Sequence, residues 1–280
     1  MGDQSLLSNP TEGHETSQGL RRSALLLGLT TGLATLSFLV VAIFQSALYF
    51  VVPTQPYVVL HTVLELGSVL VSFSIFVVNL QASKQNRNPH TLLIGAGFLA
   101  VAALDTMHLL SYNGMPDFIS PNSVGKAIYY WLAARLSQSA VLLIAAFVVP
   151  GSRHWLLRRE PLLIAVVALV AAVFVSVSYY PQHLPAMFVA GEGLTSLKVS
   201  LEYAVVGLNL LTIVAYWQIY NRRREETTLM LINALVLVVF SELAFTLYES
   251  AYDTYNLLGH VYKLVAYYMI FRSIFVAAVE

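Results

Sequence analysis

The chain contains no cysteine in its 280 residues, and only 11% of its residues are charged. The missing cysteine excludes disulfide bonds, cysteine-ligated zinc and thiol catalysis. The charged fraction is far below the value of about 25% that is usual in soluble domains. Neither sign of charge is in excess, since Lys and Arg number 15, as do Asp and Glu. No basic run exceeds three residues, which argues against a nucleic-acid partner.

Apolar residues dominate instead, with 58% hydrophobic residues and a mean hydropathy of +0.70. Spanning a bilayer takes about 20 such residues. The composition therefore predicts an all-α polytopic membrane bundle of about eight transmembrane helices. The predicted spans are 23–50, 57–80, 91–112, 127–149, 161–180, 199–220, 229–251 and 260–279.

The first 20 residues are polar and contain no apolar run, which predicts a disordered cytoplasmic tail at 1–20. They lack the basic start, short apolar core and small-residue cleavage site of a signal peptide. We therefore expect the first hydrophobic span to be retained as an anchor. Residues 21–280 are predicted to form a single transmembrane domain.

Positive charges predict the orientation of the spans, because cytoplasmic loops are enriched in Lys and Arg. Basic residues cluster at every second connection, whereas the other connections carry only Lys126 and Lys198. Both termini are therefore predicted to be cytoplasmic, in a multi-pass membrane protein. The clustered basic residues are Arg21, Arg22, Lys84, Arg87, Arg153, Arg158, Arg159, Arg222, Arg223 and Arg224.

Ionisable residues also occur inside the predicted spans. Such residues are costly in a membrane and indicate function. With the predicted orientation, those of several independent spans fall at one level, in the outer half of the bilayer. This shared depth predicts a polar pocket roofed by the outer loops. The predicted pocket residues are His61, Glu65, Asp105, His108, Tyr112, Arg135, Glu242, Glu249, His260 and Lys263.

Three of these residues, His61, His108 and His260, form a candidate metal site, since three histidines with an open position can hold zinc. Imidazole also suits copper and iron. No tight His-x-x-x-His spacing supports a metal, and a structural ion pair or buried hydrogen bond between His61 and Glu65, four residues apart, is the favoured alternative. Lys263 has the alternative of extending to the membrane surface.

Asp105 and His108 lie three residues apart, on one helical face. The aspartate is either the carboxylate that orients a histidine ligand or one half of a pH-sensitive pair. Arg135 needs a counter-charge in the membrane, for which Asp105, Glu65 and Glu242 are candidates.

Several separated motifs resemble the type-three membrane-associated sensor family of bacteria. The central one is Leu104-Asp105-x-x-His108-x-x-x-Tyr112-x-Gly114-Met115. Trp131-x-x-x-Arg135 follows it, and His61-x-x-x-Glu65 precedes it. The C-terminal signature runs from Ser241-Glu242 to Gly259-His260-x-x-Lys263-x-x-x-Tyr267. The resemblance covers roughly residues 22–279.

This resemblance implies a sensory input module of the cell inner membrane. In the family it is followed by cytoplasmic effectors such as PAS domains, histidine-kinase transmitters and diguanylate cyclases. It implies that the segment is not itself an enzyme, and that an effector acts in cis beyond Glu280 or in trans. The other expected partners are membrane lipids, a small ligand or ion from the outer side and a second copy in a homodimer. A metal ion is the candidate cofactor.

The rival hypothesis is an intramembrane metal-dependent hydrolase, similar in outline to ceramidase-like enzymes. It would use His61, His108 and His260 for zinc, with Asp105 or Glu65 as the base. The ligand spacing of that family is not matched. A proton-coupled transporter is less favoured, because the two halves show no inverted repeat.

Overall fold

The computed structural model of the protein describes residues 10–86, 88–149 and 154–279. Arg87 and Arg153, two of the residues behind the predicted orientation, lie outside this part of the chain. Its long elements are all α-helices. In chain order the helices are α1 (Pro10–Ile43), α2 (Gln45–Leu48), α3 (Thr54–Asn86), α4 (Pro89–Leu110), α5 (Val124–Phe147), α6 (Arg159–Tyr179), α7 (Ser196–Arg223), α8 (Glu226–Leu247) and α9 (Thr254–Val279).

Short elements occur in the connections. Single 3₁₀ turns precede and follow α6, at Trp155–Leu157 and Pro181–His183. Between α6 and α7, β1 (Phe188–Val189) pairs antiparallel with β2 (Gly193–Leu194), with Phe188 opposite Leu194.

Seven of the described helices, namely α1 and α3 to α8, are long and apolar enough to cross a membrane. Helix α9, the predicted eighth span, has 26 residues, which at 1.5 Å per residue is about 39 Å. The prediction of an all-α polytopic membrane bundle is therefore confirmed. The structure assigns no side of the membrane to either terminus, so their cytoplasmic placement stays a prediction.

The first span differs from its predicted bounds at both ends. Residues 10–20, predicted to be disordered, continue helix α1, whereas residues 1–9 lie outside the described part. Near this end, the Ser23 hydroxyl donates to Glu226 of α8 at 2.7 Å, which ties α1 to its neighbour. The helix ends at Ile43 rather than at residue 50. The chain beyond contacts the connection before α9 instead, where Val52 N–H donates to the Tyr252 carbonyl at 2.9 Å.

Six helices pack side by side in a closed ring. The order of neighbours is α3, α4, α5, α7, α8, α9 and back to α3. Helix α1 packs outside the ring on α8, and α6 packs outside on α4 and α5. Both outer helices expose most of their apolar surface, as lipid-facing helices do. Consequently α4 and α8, which are covered from both sides, are the most buried helices.

Lys126 and Lys198, which the sequence placed in connections, lie in the first turns of α5 and α7 and are buried. Lys126 Nζ donates to the carbonyls of Phe118 and Ser120, and Lys198 Nζ donates to the Phe245 carbonyl at 2.6 Å. Both lysines lie at the end of the bundle formed by residues 44–53, 111–123, 180–195 and 248–253, here called the long-loop end.

Asp253 organises the start of α9 at this end. Its Oδ1 accepts from Asn256 N–H at 2.9 Å, in the manner of a helix N-cap. Its Oδ2 accepts from the N–H groups of Glu249 and Ser250 and from the Tyr49 hydroxyl. Burial raises the pKa of the Asp253 carboxyl. Burial, followed by the neighbouring charge of Asp253, raises the pKa of Tyr49 to about 12.

Replacing Asp253 with alanine should lower the free energy of unfolding by about 1–2 kcal/mol, because a cap and further buried N–H groups lose their acceptor. Chemical unfolding in detergent measures this. The control is Glu249→Ala, an exposed acid four residues earlier, for which we expect a change within about 0.5 kcal/mol. Equal effects of the two substitutions would contradict this role of Asp253.

Candidate functional site

A buried polar cluster fills the interior of the ring, and every ring helix contributes to it. One turn of α3 brings His61 and Glu65 to the same face, and α4 does the same for Asp105 and His108. The cluster residues from the remaining ring helices are Trp131, Arg135 and Gln138 of α5, Lys198 and Glu202 of α7, Glu242 of α8, and His260, Lys263 and Tyr267 of α9.

Four charged side chains form the centre of this cluster. Arg135 Nη2 lies 2.8 and 2.7 Å from the two carboxylate oxygens of Asp105. Lys263 Nζ lies 2.7 Å from Glu65 Oε2 and 3.1 Å from Asp105 Oδ2, so it bridges two helices. None of the four side chains is more than 2% exposed. Two acids and two bases thus neutralise each other, as burial of charge requires.

The two cations also share aromatic contacts, and Arg135 has an amide contact as well. Arg135 and Lys263 both lie over the Trp131 ring, at 4.7 and 4.6 Å from its centroid. Arg135 donates to Gln138 Oε1 at 2.8 Å and to the Tyr267 hydroxyl, which in turn donates to Gln138. Cation–π contacts of this kind strengthen when they are desolvated.

Three histidines lie beside this network. One ligand atom from each of His61, His108, His260 and Glu65 can be chosen so that all four lie within 4.8 Å of one another. His260 Nδ1 is 2.8 Å from Glu65 Oε1, and His108 Nδ1 is 2.8 Å from the Ala127 carbonyl. Neither nitrogen of His61 has a hydrogen-bond partner in the described part of the chain.

Aromatic residues close the cluster toward the long-loop end. Tyr112 stacks on His61 with ring centroids 3.7 Å apart, and its hydroxyl donates to the Ala251 carbonyl of the connection before α9. Tyr57 donates to Asn256 at 2.7 Å on the same level. The Tyr112 contacts tie the connection before α9 to His61.

A second group of acids lies between α7 and α8. Lys198 Nζ is 3.0 Å from Glu202 Oε1, which also accepts from Trp131 Nε1 at 3.2 Å. The Glu242 carboxyl is a neighbour of the Glu202 carboxyl. Trp131 thus touches both groups of charges, with its ring under the cations and its N–H on Glu202.

A cavity of about 30 Å³, measured as the space open to the centre of a water molecule, adjoins the histidines. It has room for roughly one or two water molecules. Two of the histidines and Lys198 supply its polar wall, and residues of the long-loop end close it. The lining residues are His108, Tyr112, Asn113, Val124, Ala127, Ile128, Trp131, Lys198, Phe245, Tyr248, Ala251, Asn256 and His260.

The structure brings together all the predicted pocket residues except one. Glu249 is exposed and lies outside the cluster, because α8 ends at Leu247 and the chain has already turned into the connection. Lys263 is 2% exposed, so the alternative that it extends to the surface is wrong. The counter-charge of Arg135 is Asp105, among the three candidates.

Five cluster residues were not among the predicted pocket residues, and one of them, Trp131, appears only in the motif Trp131-x-x-x-Arg135. Lys198 and Glu202 had the spacing of a helical ion pair, but Lys198 was assigned to a connection. Gln138, one turn further along α5, accepts a hydrogen bond from Arg135, and the Tyr267 hydroxyl of α9 accepts another. The spacing Arg135-x-x-Gln138 was the available signal for the glutamine.

A family model described as a membrane-associated sensor domain, MASE3, matches residues 52–280. The chain belongs to the MASE3 family. The match includes all six ring helices and leaves α1 outside. No curated protein matches the chain, and no solved structure matches it. The MASE3 match confirms the family resemblance found in the motifs and shows a membrane-associated sensory domain. With its apolar helices, this MASE3 domain is a multi-pass protein of the inner membrane.

Breaking the central charge network should destabilise the MASE3 domain strongly. Asp105→Asn leaves Arg135 and Lys263 with Glu65 as their one remaining acid, so one positive charge is uncompensated. We expect a loss of about 3–5 kcal/mol in the free energy of unfolding. The double variant Asp105→Asn with Arg135→Gln restores neutrality and should recover part of this loss. Unfolding in detergent measures all variants.

The matched control is Arg223→Gln, which breaks the half-exposed pair of Arg223 and Glu225 at 3.6 Å. An exposed pair contributes at most about 1 kcal/mol. If Asp105→Asn were as mild as this control, the buried network would not hold the ring together.

Proposed function

We propose that this MASE3 domain is the input module of a signalling protein. It binds a small ligand or ion at the histidine and acid cluster, and it relays binding through α9 to a cytoplasmic effector of the histidine-kinase or diguanylate-cyclase type, in cis or in trans. The observation that supports this most is that α9 supplies His260, Lys263 and Tyr267 to the cluster. The last helix is thus bonded to α3, α4 and α5 by buried charges.

The relay requires that ligand binding favour one helix packing over another. Lys263 supports such a two-state arrangement, because one ammonium group holds two carboxylates on separate helices. A ligand that engages Glu65 or His260 competes with these contacts. Since α9 is one continuous helix, a shift at the cluster is carried toward its C-terminal end.

The ligand is proposed to enter from the outer side. The cavity at the histidines adjoins the long-loop end, and the distribution of basic residues predicts that this end faces outward. The exposed apolar faces of α1 and α6 contact membrane lipids in this proposal, and they offer surface for a second copy in a homodimer.

An intramembrane metal hydrolase is the alternative function, favoured by the three converging histidines. A hydrolase needs a carboxylate free to act as a base. Glu65 is engaged by Lys263 and His260, and Asp105 is engaged by Arg135 and Lys263. Neither predicted base is free, so the sensory function is preferred and any kinase or cyclase activity is assigned to the effector.

A diguanylate cyclase reporter joined to the end of α9, with the full chain in lipid nanodiscs, tests the relay. Lys263→Met removes the bridge between α9 and its two carboxylates. We expect it to change the cyclase rate about 5-fold or more, the size of a typical coupling between sites. His183→Ala, at an exposed position outside the cluster, should leave the rate unchanged. A folded Lys263→Met variant whose rate stays within about 2-fold of the parent would contradict the relay.

A further inference from the structure

We propose that His61, His108 and His260 bind one transition-metal cation, with Glu65 at the edge of the site. The proposal deepens the function proposed above and rests on it for the sensory role, but metal binding itself is independent of any effector. Its basis is three buried imidazoles, each of which has a ring nitrogen within 4.8 Å of a nitrogen of the other two.

His61 provides the first argument. Its side chain is 1% exposed, and neither ring nitrogen finds a partner among the residues that the structure describes. A buried imidazole without partners bears the full desolvation penalty of its polar atoms. A metal ion bound to one nitrogen removes part of that penalty, whereas a purely structural role gives no reason for a histidine here.

The tautomers of the other two histidines provide the second argument. The Ala127 carbonyl can only accept, so His108 must carry its proton on Nδ1. The Glu65 carboxylate, paired with Lys263, likewise accepts from His260 Nδ1. In both rings the Nε2 lone pair is left for another ligand, and His108 Nε2 has no partner in the described part of the chain. Metal-ligating histidines are oriented in this way, by a carbonyl or carboxylate on the other nitrogen.

Distances are close to those that a metal needs. The candidate ligand atoms lie within 4.8 Å of one another, whereas bonds of 2.0–2.1 Å at tetrahedral angles place nitrogens about 3.3 Å apart. The ring centroids of His61 lie 4.6 Å from His260 and 5.3 Å from His108. Small rotations of the rings would close the site.

The ligand chemistry selects the class of ion. Three imidazoles suit zinc, copper, iron and nickel, whereas calcium and magnesium need sets of oxygen ligands.

Metal binding is tested on the full chain, purified in detergent with a tag that contains no histidine and stripped with a chelator. Zn²⁺ and Co²⁺ are added, and the bound metal is counted after desalting. We expect one equivalent per chain and the visible d–d bands of tetrahedral Co²⁺, without a thiolate charge-transfer band because the chain has no cysteine. Binding of less than about a tenth of an equivalent would overturn the proposal.

Substitutions locate the ion. His108→Gln and His260→Ala should weaken Zn²⁺ binding at least about 100-fold, and His183→Ala, outside the cluster, should not. Retained binding in both cluster variants would overturn the site. These binding measurements involve no effector. Loss of the relay with intact metal binding would therefore refute only the proposed function. Absence of metal binding with an intact relay would refute only the metal site.

His61→Phe separates a ligand from a structural residue. Phenylalanine keeps the stacking on Tyr112 and removes two unpartnered nitrogens, so the metal-free variant should have a melting temperature equal to or above that of the parent. The rise in melting temperature that Zn²⁺ gives the parent should disappear. A lower melting temperature of the metal-free variant, with Zn²⁺ binding intact, would show that His61 is structural and overturn its assignment as a ligand.

Discussion

Two cations, Arg135 and Lys263, are buried in the interior of an apolar bundle, and the arrangement of the ring depends on neutralising them. Each lies within 2.8 Å of a carboxylate oxygen, because an unpaired charge at such a place is prohibitive. The pairs join α4 to α5 and α9 to α3, and the second contact of Lys263 joins α9 to α4. Two of the six neighbouring helix pairs in the ring, and one pair of helices across it, thus carry a buried ion pair.

The same neutralisation explains why neither nitrogen of His61 has a hydrogen-bond partner among the residues that the structure describes. Glu65 is occupied by Lys263 and by one nitrogen of His260, so it does not satisfy His61. The Trp131 ring, with its face under both cations, holds them away from the cavity beside His108 and His260. The cluster therefore combines an ion-paired half with a half in which several histidine nitrogens have no hydrogen-bond partner in the described part of the chain.

Much of this architecture could be predicted from the sequence, because the bilayer makes both spans and intramembrane charges conspicuous. The partner of Arg135 could not be predicted from the sequence, since it depends on which helices are neighbours. Helix α6 lies outside the ring, so α5 packs on α7, and this order has no signal in hydropathy. The depth predicted from the sequence was also wrong for Glu249, which is exposed, and for Lys198, which is buried. One or two residues at a helix end decide whether a side chain is buried.

The central claim is that buried charges fix α9 in the ring. Because the chain has no cysteine, Phe73→Cys in α3 and Tyr268→Cys in α9, both exposed positions, can be spin-labelled selectively. The distance distribution between the labels is measured in nanodiscs, with and without Glu65→Gln. We expect a shift of at least about 1–2 Å, or a broadening, in the Glu65→Gln background, and no change with Arg223→Gln. Superimposable distributions in all three proteins would contradict it.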